Sequence, residues 1–411
     1  MSDVAVLVTV VVAIYILQCI IWAPARATVF RASFLRGRKK VSLGAPPRDS
    51  AKVIAKSGVV EKKAAKNARK QAGKSRAALR TPDTEPVFAP DGRRASRGFV
   101  WNAPGTSGFL ANLLPVDALI VVNWPAASLD PAGLMMEAEP APIPWEQLKL
   151  TRSGHKLKYG DTVILSGPEK QLRDFEKFAV EVGKASSNAR AALIEKWLSA
   201  VTDVAAARER YSEFRSVARS AAVMVCLQFF VLFGVVPWLF YRVGTRAVWG
   251  CLALLLCVSV SIAIEFWQLH KQFYPQASDS RWTHGLTIVL SPLSAIRAMD
   301  LLTRDLLAGF HPVTAAAVVC VDEEFAGIAG GQLRELRYAT ISTAERSKWW
   351  NESLTRALQA VVAKRGLTAD QLLAAPARQQ DCDVYCPRCL AQYLAAREAC
   401  SDCGYEALVR F

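Results

Sequence analysis

Histidine is scarce in this chain, with His155, His270, His284 and His311 the four among 411 residues and no HxxxH or HxxE spacing between them. That excludes the paired-imidazole motif of helical zinc hydrolases. There is also no Gly-x-Ser-x-Gly elbow, no glycine-rich dinucleotide turn and no internal repeat. The sequence signatures of serine hydrolases, nicotinamide oxidoreductases and solenoids are therefore missing. Acids are nearly absent from one stretch: residues 26–80 hold 17 Lys and Arg against only Asp49 and Glu61. The whole formal charge of +15 sits there, and the rest of the chain sums to zero. Aromatics are missing from that stretch after Phe34, so it cannot bury enough apolar surface to offset the entropy of ordering.

What is present is apolar and long. Residues 4–22 carry no charge for 19 positions, close to the ~20 a helix needs to cross a hydrocarbon core. Two further runs, 221–241 and 248–266, are separated by a link whose only charges are Arg242 and Arg246, the pattern of a transmembrane hairpin. Lys and Arg are retained on the cytoplasmic side, so the basic block predicts three spans with residues 1–3 outside, 23–220 inside, the short link outside and the C-terminus in the cytoplasm. Trp22, Trp238, Tyr241, Trp249 and Trp267 stand at the span ends, where amphipathic rings sit at headgroup level. Ala25-Arg26-Ala27 offers a signal-peptide cleavage pattern, but the run before it is longer than a 7–15-residue core and is led by Asp3 rather than by basic residues. Glu265 lies one turn from the inner end of its span and reads as an interfacial anchor, with a buried role as the alternative.

Between and after the spans the patterns are mixed. Residues 81–104 and 125–145 are proline-punctuated connections around an apolar run at 116–122. Residues 147–166 alternate with turns at Ser153-Gly154 and Tyr159-Gly160-Asp161, a three-stranded meander. Gly167-Pro168-Glu169 opens a helix whose apolar face is Leu172, Phe175, Phe178, Ala179 and Val182. A second helical stripe, Leu193, Trp197, Val201 and Val204, is expected to run on as a stalk into the second span. Beyond the third span, Ser291-Pro292 caps a helix carrying Ile296, Met299, Leu302, Leu306 and Phe310, and Pro312 starts another. These two either pack on the hairpin, lie in the inner interface, or form part of a soluble core. Ser342-Thr343-Ala344-Glu345 fits a capping box, leading into a helix with Trp350, Leu354, Leu358 and Val361 that Gly366 ends. Thr368 caps a shorter one closed by Pro376. The expected fold class is an α+β membrane protein: anchor 1–25, basic neck and linker 26–104, cytoplasmic α+β domain with helical stalk 105–219, hairpin 220–268, helical region 269–380 and a metal module 381–411.

The specific chemical signal is Cys386-Pro387-Arg388-Cys389, ten residues, then Cys400-Ser401-Asp402-Cys403-Gly404. Each pair aims two thiolates at one ion from a tight turn, and four sulfurs at ~2.3 Å complete a closed tetrahedral Zn²⁺ site with no open position for catalysis. Iron and disulfides are the competing readings, disulfides being disfavoured in a reducing cytoplasm. Residues 382–411 resemble a zinc ribbon, a resemblance that leaves the rest of the chain without a family. It implies that Cys386, Cys389, Cys400 and Cys403 are the ligands and that Zn²⁺ is the cofactor; Cys382, four residues upstream, reads as a spare or supporting thiol rather than a fifth ligand. A tail of this size has little core, so metal binding worth ~10–16 kcal/mol supplies most of its folding free energy.

Two weaker signals carry little. Residues 68–75 match a permissive phosphate loop, but Ala68 replaces the first glycine and no apolar strand precedes it. Asp322-Glu323-Glu324 point around a helix rather than together, a solvated face. With no catalytic constellation, the expectation is a membrane-anchored adaptor or scaffold in a bacterial cytoplasmic membrane. Its expected partners are anionic lipid headgroups and proteins or copies of itself. Nucleic-acid or ribosome binding through the basic neck is the first alternative, and a membrane enzyme or transporter subunit the second.

Overall fold

A computed structural model describes residues 98–103, 118–136, 141–296, 298–303, 305–342, 348–379, 382–394, 399–400, 403 and 407–411. The first apolar run, the basic neck and the phosphate-loop match lie outside these residues. The structure is a mixed helix and sheet protein. Its contacts divide it into two units, one whose described part ends at Val319 and one running from Cys320 to Phe411.

In the first unit β1 (Gly98–Ala103) pairs antiparallel with β2 (Ala118–Asn123), so the end of the expected 81–104 linker is a strand. The expected irregular stretch 125–145 likewise holds a hairpin, β3 (Ala127–Asp130) and β4 (Gly133–Met136). Prolines mask it in the sequence because Pro131 sits in its turn, where Asp130 Oδ1 accepts the Ala132 N–H at 2.9 Å. The meander is present as β5 (Leu150–Ser153), β6 (Lys156–Tyr159) and β7 (Thr162–Ser166), adjacent and antiparallel in that order. Gly154 and Gly160 turn it with φ of 57° and 55°.

Helix α1 (Glu169–Lys184) buries the five residues of its predicted face. Fully buried Leu172 and Val182 each contribute about 1.5–3 kcal/mol relative to exposure. Helix α2 (Ser187–Val201) buries Ile194, Leu198 and Val201, a stripe rotated from the expected one. It does not run on into the apolar segment. Thr202 ends it and Asp203 caps α3 (Val204–Val217), accepting from Ala205 N at 2.8 Å and Ala206 N at 3.3 Å.

A 55-residue helical run, Arg219–Phe273, is long and apolar enough to cross a membrane. It comprises α4 (Arg219–Phe230), a π turn (Val231–Val235), α5 (Val236–Val243), a 3-10 turn (Gly244–Ala247) and α6 (Val248–Phe273). The π turn precedes Pro237, which lacks the N–H that an α ladder would need. The run folds back on itself at Gly244, whose φ of 67° suits glycine. Gln272 Nε2 donates to Glu213 Oε1 of α3 at 3.0 Å, Ser220 Oγ to Glu265 Oε2 at 3.0 Å, and Gln228 Nε2 to Ser259 Oγ at 3.1 Å. Each step up one leg thus meets a step down the other.

After Tyr274, helix α7 (Ser278–Leu290) turns back along α6, with the Trp267 and Trp282 ring centroids 4.4 Å apart. Helix α8 (Pro292–Ile296) follows the predicted cap, Ser291 Oγ accepting the Ser294 N–H at 3.2 Å, and α9 (Ala298–Thr303) packs with it against α4 and α6. The helix stops at Thr303, so Leu306 and Phe310 lie in a turn rather than on it. Helix α10 (Pro312–Val319) is buried along nearly its whole length.

Candidate metal centre

The second unit begins with α11 (Asp322–Ser342), which the sequence reading did not delimit. Its first turn holds Asp322, Glu323 and Glu324, favourable to the helix dipole. Asp322 is exposed and pairs with Arg365. Helix α12 (Lys348–Ala363) buries Trp350, Leu354, Leu358 and Val361 as its periodicity predicts, and Gly366 follows at φ 72°. Thr368 and Gln371 form a reciprocal capping box on α13 (Ala369–Leu373).

Three two-residue strands follow. In the sheet, β8 (Val384–Tyr385) lies between β9 (Gln392–Tyr393) and β10 (Val409–Arg410). The first cysteine pair occupies the turn from β8 to β9. Cys386 N donates to Ala391 O and Leu390 N to Cys386 O, both at 2.8 Å. Leu390 has φ 62°, placing a branched side chain where glycine is usual at a cost of about 1–2 kcal/mol. The second pair, Cys400 and Cys403, comes after the bridge residue Ala399.

The fold brings together all four cysteines singled out from the spacing. Their sulfurs lie within 4.8 Å of one another. Cys386 Sγ is 3.8 Å from Cys403 Sγ, and Cys389 Sγ is 3.7 Å from Cys400 Sγ. A disulfide would require about 2.05 Å, whereas the edge of a tetrahedron with ~2.3 Å metal–sulfur bonds is about 3.8 Å. Four cysteines this close can hold a metal ion. Cys382, although buried, is outside the group.

The electrostatics agree with a cation's place. Hydrogen bonding with Cys389 and Cys403, aided by the backbone N–H groups of Cys389 and Arg388, holds the Cys386 thiol far below its ordinary range. Cys386 in turn pushes Cys389 and Cys403 up. One thiolate suppresses ionisation of its neighbours, so four thiolates coexist only around a positive ion.

Surrounding residues fix the first turn in ways the spacing did not reveal. Arg388 donates from Nε to Glu335 Oε1 at 3.1 Å and from its terminal nitrogen to Glu335 Oε2 at 2.8 Å, a bidentate pair. Arg334 donates to the Arg388 carbonyl at 3.2 Å and to the Leu372 carbonyl at 2.9 Å. Tyr393 Oη lies 3.2 Å from Cys400 Sγ. No local signal marks Glu335, which stands 53 positions from its partner. The chain matches no known protein family, no curated protein and no solved structure. The meaning of the site therefore rests on its own geometry.

Proposed function

We propose that this protein is a membrane-anchored adaptor in which Cys386, Cys389, Cys400 and Cys403 bind one structural Zn²⁺. The observation that supports this most directly is the sulfur geometry: two 3.7–3.8 Å contacts in a four-thiol group match a closed site. All four positions being sulfur, the ion would serve to fold the module, and these residues would contribute thiolate charge and fixed direction. The membrane part of the reading rests on exposed apolar surface. Of twenty-two large apolar side chains left exposed among the described residues, sixteen fall between Val223 and Leu290, a concentration that water does not favour and lipid does.

In this proposal residues 4–22 are a further span, the hairpin crosses twice, and the basic neck lies on anionic headgroups, each cation near the surface contributing ~1 kcal/mol. The C-terminal module then works in the cytoplasm, presenting a surface to protein partners or to a second copy. Purified protein is expected to carry about one zinc per chain by elemental analysis. A reporter at Gly244 is expected to be active only outside and one after Phe411 only inside. Zinc-free preparations, or cytoplasmic activity at Gly244, would defeat the corresponding half.

The basic charge of the neck also supports a second reading, nucleic-acid binding. A peptide of residues 26–80, offered anionic vesicles and nucleic acid at equal phosphate, is expected to choose vesicles, because Phe30 and Phe34 can enter the interface. Preference for nucleic acid would reverse the ranking.

A further inference from the structure

Residues 282–296 run for fifteen positions without Lys, Arg, Asp or Glu, short of the ~17–25 that a helix needs to cross a bilayer. The chain also breaks this run in the middle. Helix α7 ends at Leu290, Ser291 turns extended with φ −131° and ψ 106°, and Pro292 opens α8. The excursion then returns to where it began: Tyr274, just before α7, donates from its hydroxyl to the carbonyl of Leu302 in α9 at 2.7 Å, and α9 packs on β2.

Contacts along α7 give its direction. Arg281 is buried at the start of the helix, donating to His270 Nδ1 at 3.3 Å and to the Tyr274 and Pro275 carbonyls at 3.1 and 3.3 Å. Trp282 then meets Trp267, and the ring of His284, the one titratable side chain in the run, lies 6.3 Å from that of Phe266. The partners step down α6 as α7 advances, so the two helices are antiparallel and α7 climbs from the Trp267 end of α6 toward its middle. At 1.5 Å per residue, Leu290 stands about 12 Å beyond Trp282.

Apolar side chains occupy both sides of α7. Ile288 is fully buried, while Trp282, Leu286 and Leu290, spaced by four, form an outward stripe that is 60–72 % exposed. A helix apolar all round belongs in a core or in a membrane. Its polar groups are closed within the element, as hydrocarbon requires. Thr283 Oγ1 donates to the Ser280 carbonyl at 3.0 Å and Thr287 Oγ1 to the Thr283 carbonyl at 2.6 Å. At the break, Ser291 N donates to Thr287 O and Ala295 N to Ser291 O, both at 3.0 Å, and Pro292 has no N–H to satisfy. Ser291 and Ser294 are buried there, which is where irregular backbone is tolerated at membrane depth.

We infer that α7, α8 and α9 form a re-entrant element: it enters one leaflet from the side of Tyr274, returns to that side, and lays its Trp282–Leu286–Leu290 stripe against acyl chains. The inference rests on the membrane reading of the hairpin and extends it. Trp282, beside Trp267, then stands at headgroup level, where amphipathic rings belong. Leu286 and Leu290 lie deeper, and a rise of about 12 Å stops short of the midplane of a ~30 Å core. Lipid fits this stripe better than a protein partner does. Three side chains are far fewer than the roughly 20–30 residues a side of a stable interface, and α6, against which α7 lies, carries exposed apolar residues of its own from Trp249 to Ile264.

The test uses the full-length protein reconstituted in phospholipid vesicles, with p-benzoylphenylalanine substituted singly at Leu256, Leu286, Leu290 or, as a water-facing control, Val180 of α1. After illumination, mass spectrometry identifies what each position has captured. Leu286 and Leu290 are expected to yield phospholipid adducts, as Leu256 does on the hairpin, and Val180 none. Lipid captured at Leu256 but at neither α7 position would overturn the inference and leave the hairpin reading standing; lipid captured at none of them would overturn both. Adducts at Leu286 without any at Leu290 would mean that the helix lies shallow in the interface, and capture of a second copy at both α7 positions would make the stripe a protein contact. Either result would also overturn the inference.

Discussion

The hairpin and the cysteine module solve the same problem from opposite directions. Between Val223 and Leu290 the chain has more apolar surface than it can bury, leaving Phe230, Trp249 and Leu290 at 63 %, 80 % and 72 % exposure. Around the cysteines it has little: among the described residues the buried cluster is Val384, Cys386, Ala391, Tyr393 and Cys400, with Cys389, Cys403 and Leu408 partly buried against it. In our proposal lipid completes the first and a metal ion the second. The comparison teaches that this protein's stability is expected to depend on what surrounds and occupies it as much as on its internal packing.

The largest expected effect breaks the module's half of the comparison. Cys386→Ser, Cys389→Ser, Cys400→Ser or Cys403→Ser should each abolish metal retention, forfeiting most of the ~10–16 kcal/mol that a structural ion contributes. Cys382→Ser should retain it. Elemental analysis of the five variants checks this, and loss of metal from the Cys382 variant would redraw the ligand set. The hairpin's half is broken by charge: Leu256→Arg, on a face 52 % exposed, is expected to oppose membrane insertion by about 2.5–3.5 kcal/mol. Carbonate extraction of membranes should then release a larger soluble fraction than for Leu256→Phe. Equal extraction of the two would show that this face does not meet lipid.

Smaller changes sharpen the contrast. Glu335→Gln removes the charge that orients Arg388 and should cost about 1–3 kcal/mol. Its signature is faster transfer of metal to a competing chelator while the stoichiometry stays near one. An unchanged transfer rate would mean that the pair does not support the turn. Acid tests the first unit separately through His311, whose Nδ1 accepts the Val313 N–H at 3.1 Å. Burial lowers its pKa to about 3, so the folded state keeps it neutral while the unfolded chain takes up a proton below about 6.5. Stability from this group is therefore complete well above pH 6.5 and erodes as pH falls toward 3, by about 1.4 kcal/mol per pH unit at most. Melting temperatures at pH 6.5 and 5.5 should differ less in His311→Gln than in the unaltered chain.

The elements legible in the sequence were those whose information is local. The meander at 150–166 announced itself by alternation and two glycines, α1 and α12 by their stripes, and the cysteine group by spacing alone. What escaped depends on distant partners. The strand at Gly98–Ala103 exists through its pairing with Ala118–Asn123, and a proline-rich neighbourhood hid Ala127–Met136 because the proline falls in the turn. The expected stalk is interrupted at Asp203, whose carboxylate caps the next helix instead of continuing the last. Leu390 at a positive φ and Glu335 behind Arg388 left no trace, since both follow from the turn's tertiary surroundings.

The contact between Gln228 and Ser259 has a bearing beyond its own strength. Helices immersed in lipid gain little by hiding apolar faces from each other, because acyl chains solvate those faces equally well. Two legs joined only by a glycine elbow could then rotate or slide past one another at small expense. The completely buried Gln228 amide nitrogen reaches the completely buried Ser259 hydroxyl at 3.1 Å, a bond that is made at one azimuth and one height. If the legs cross a bilayer as we propose, the bond would act as a registration key, selecting a single alignment from many apolar ones of similar energy. That alignment also decides which side chains of the two legs face outward.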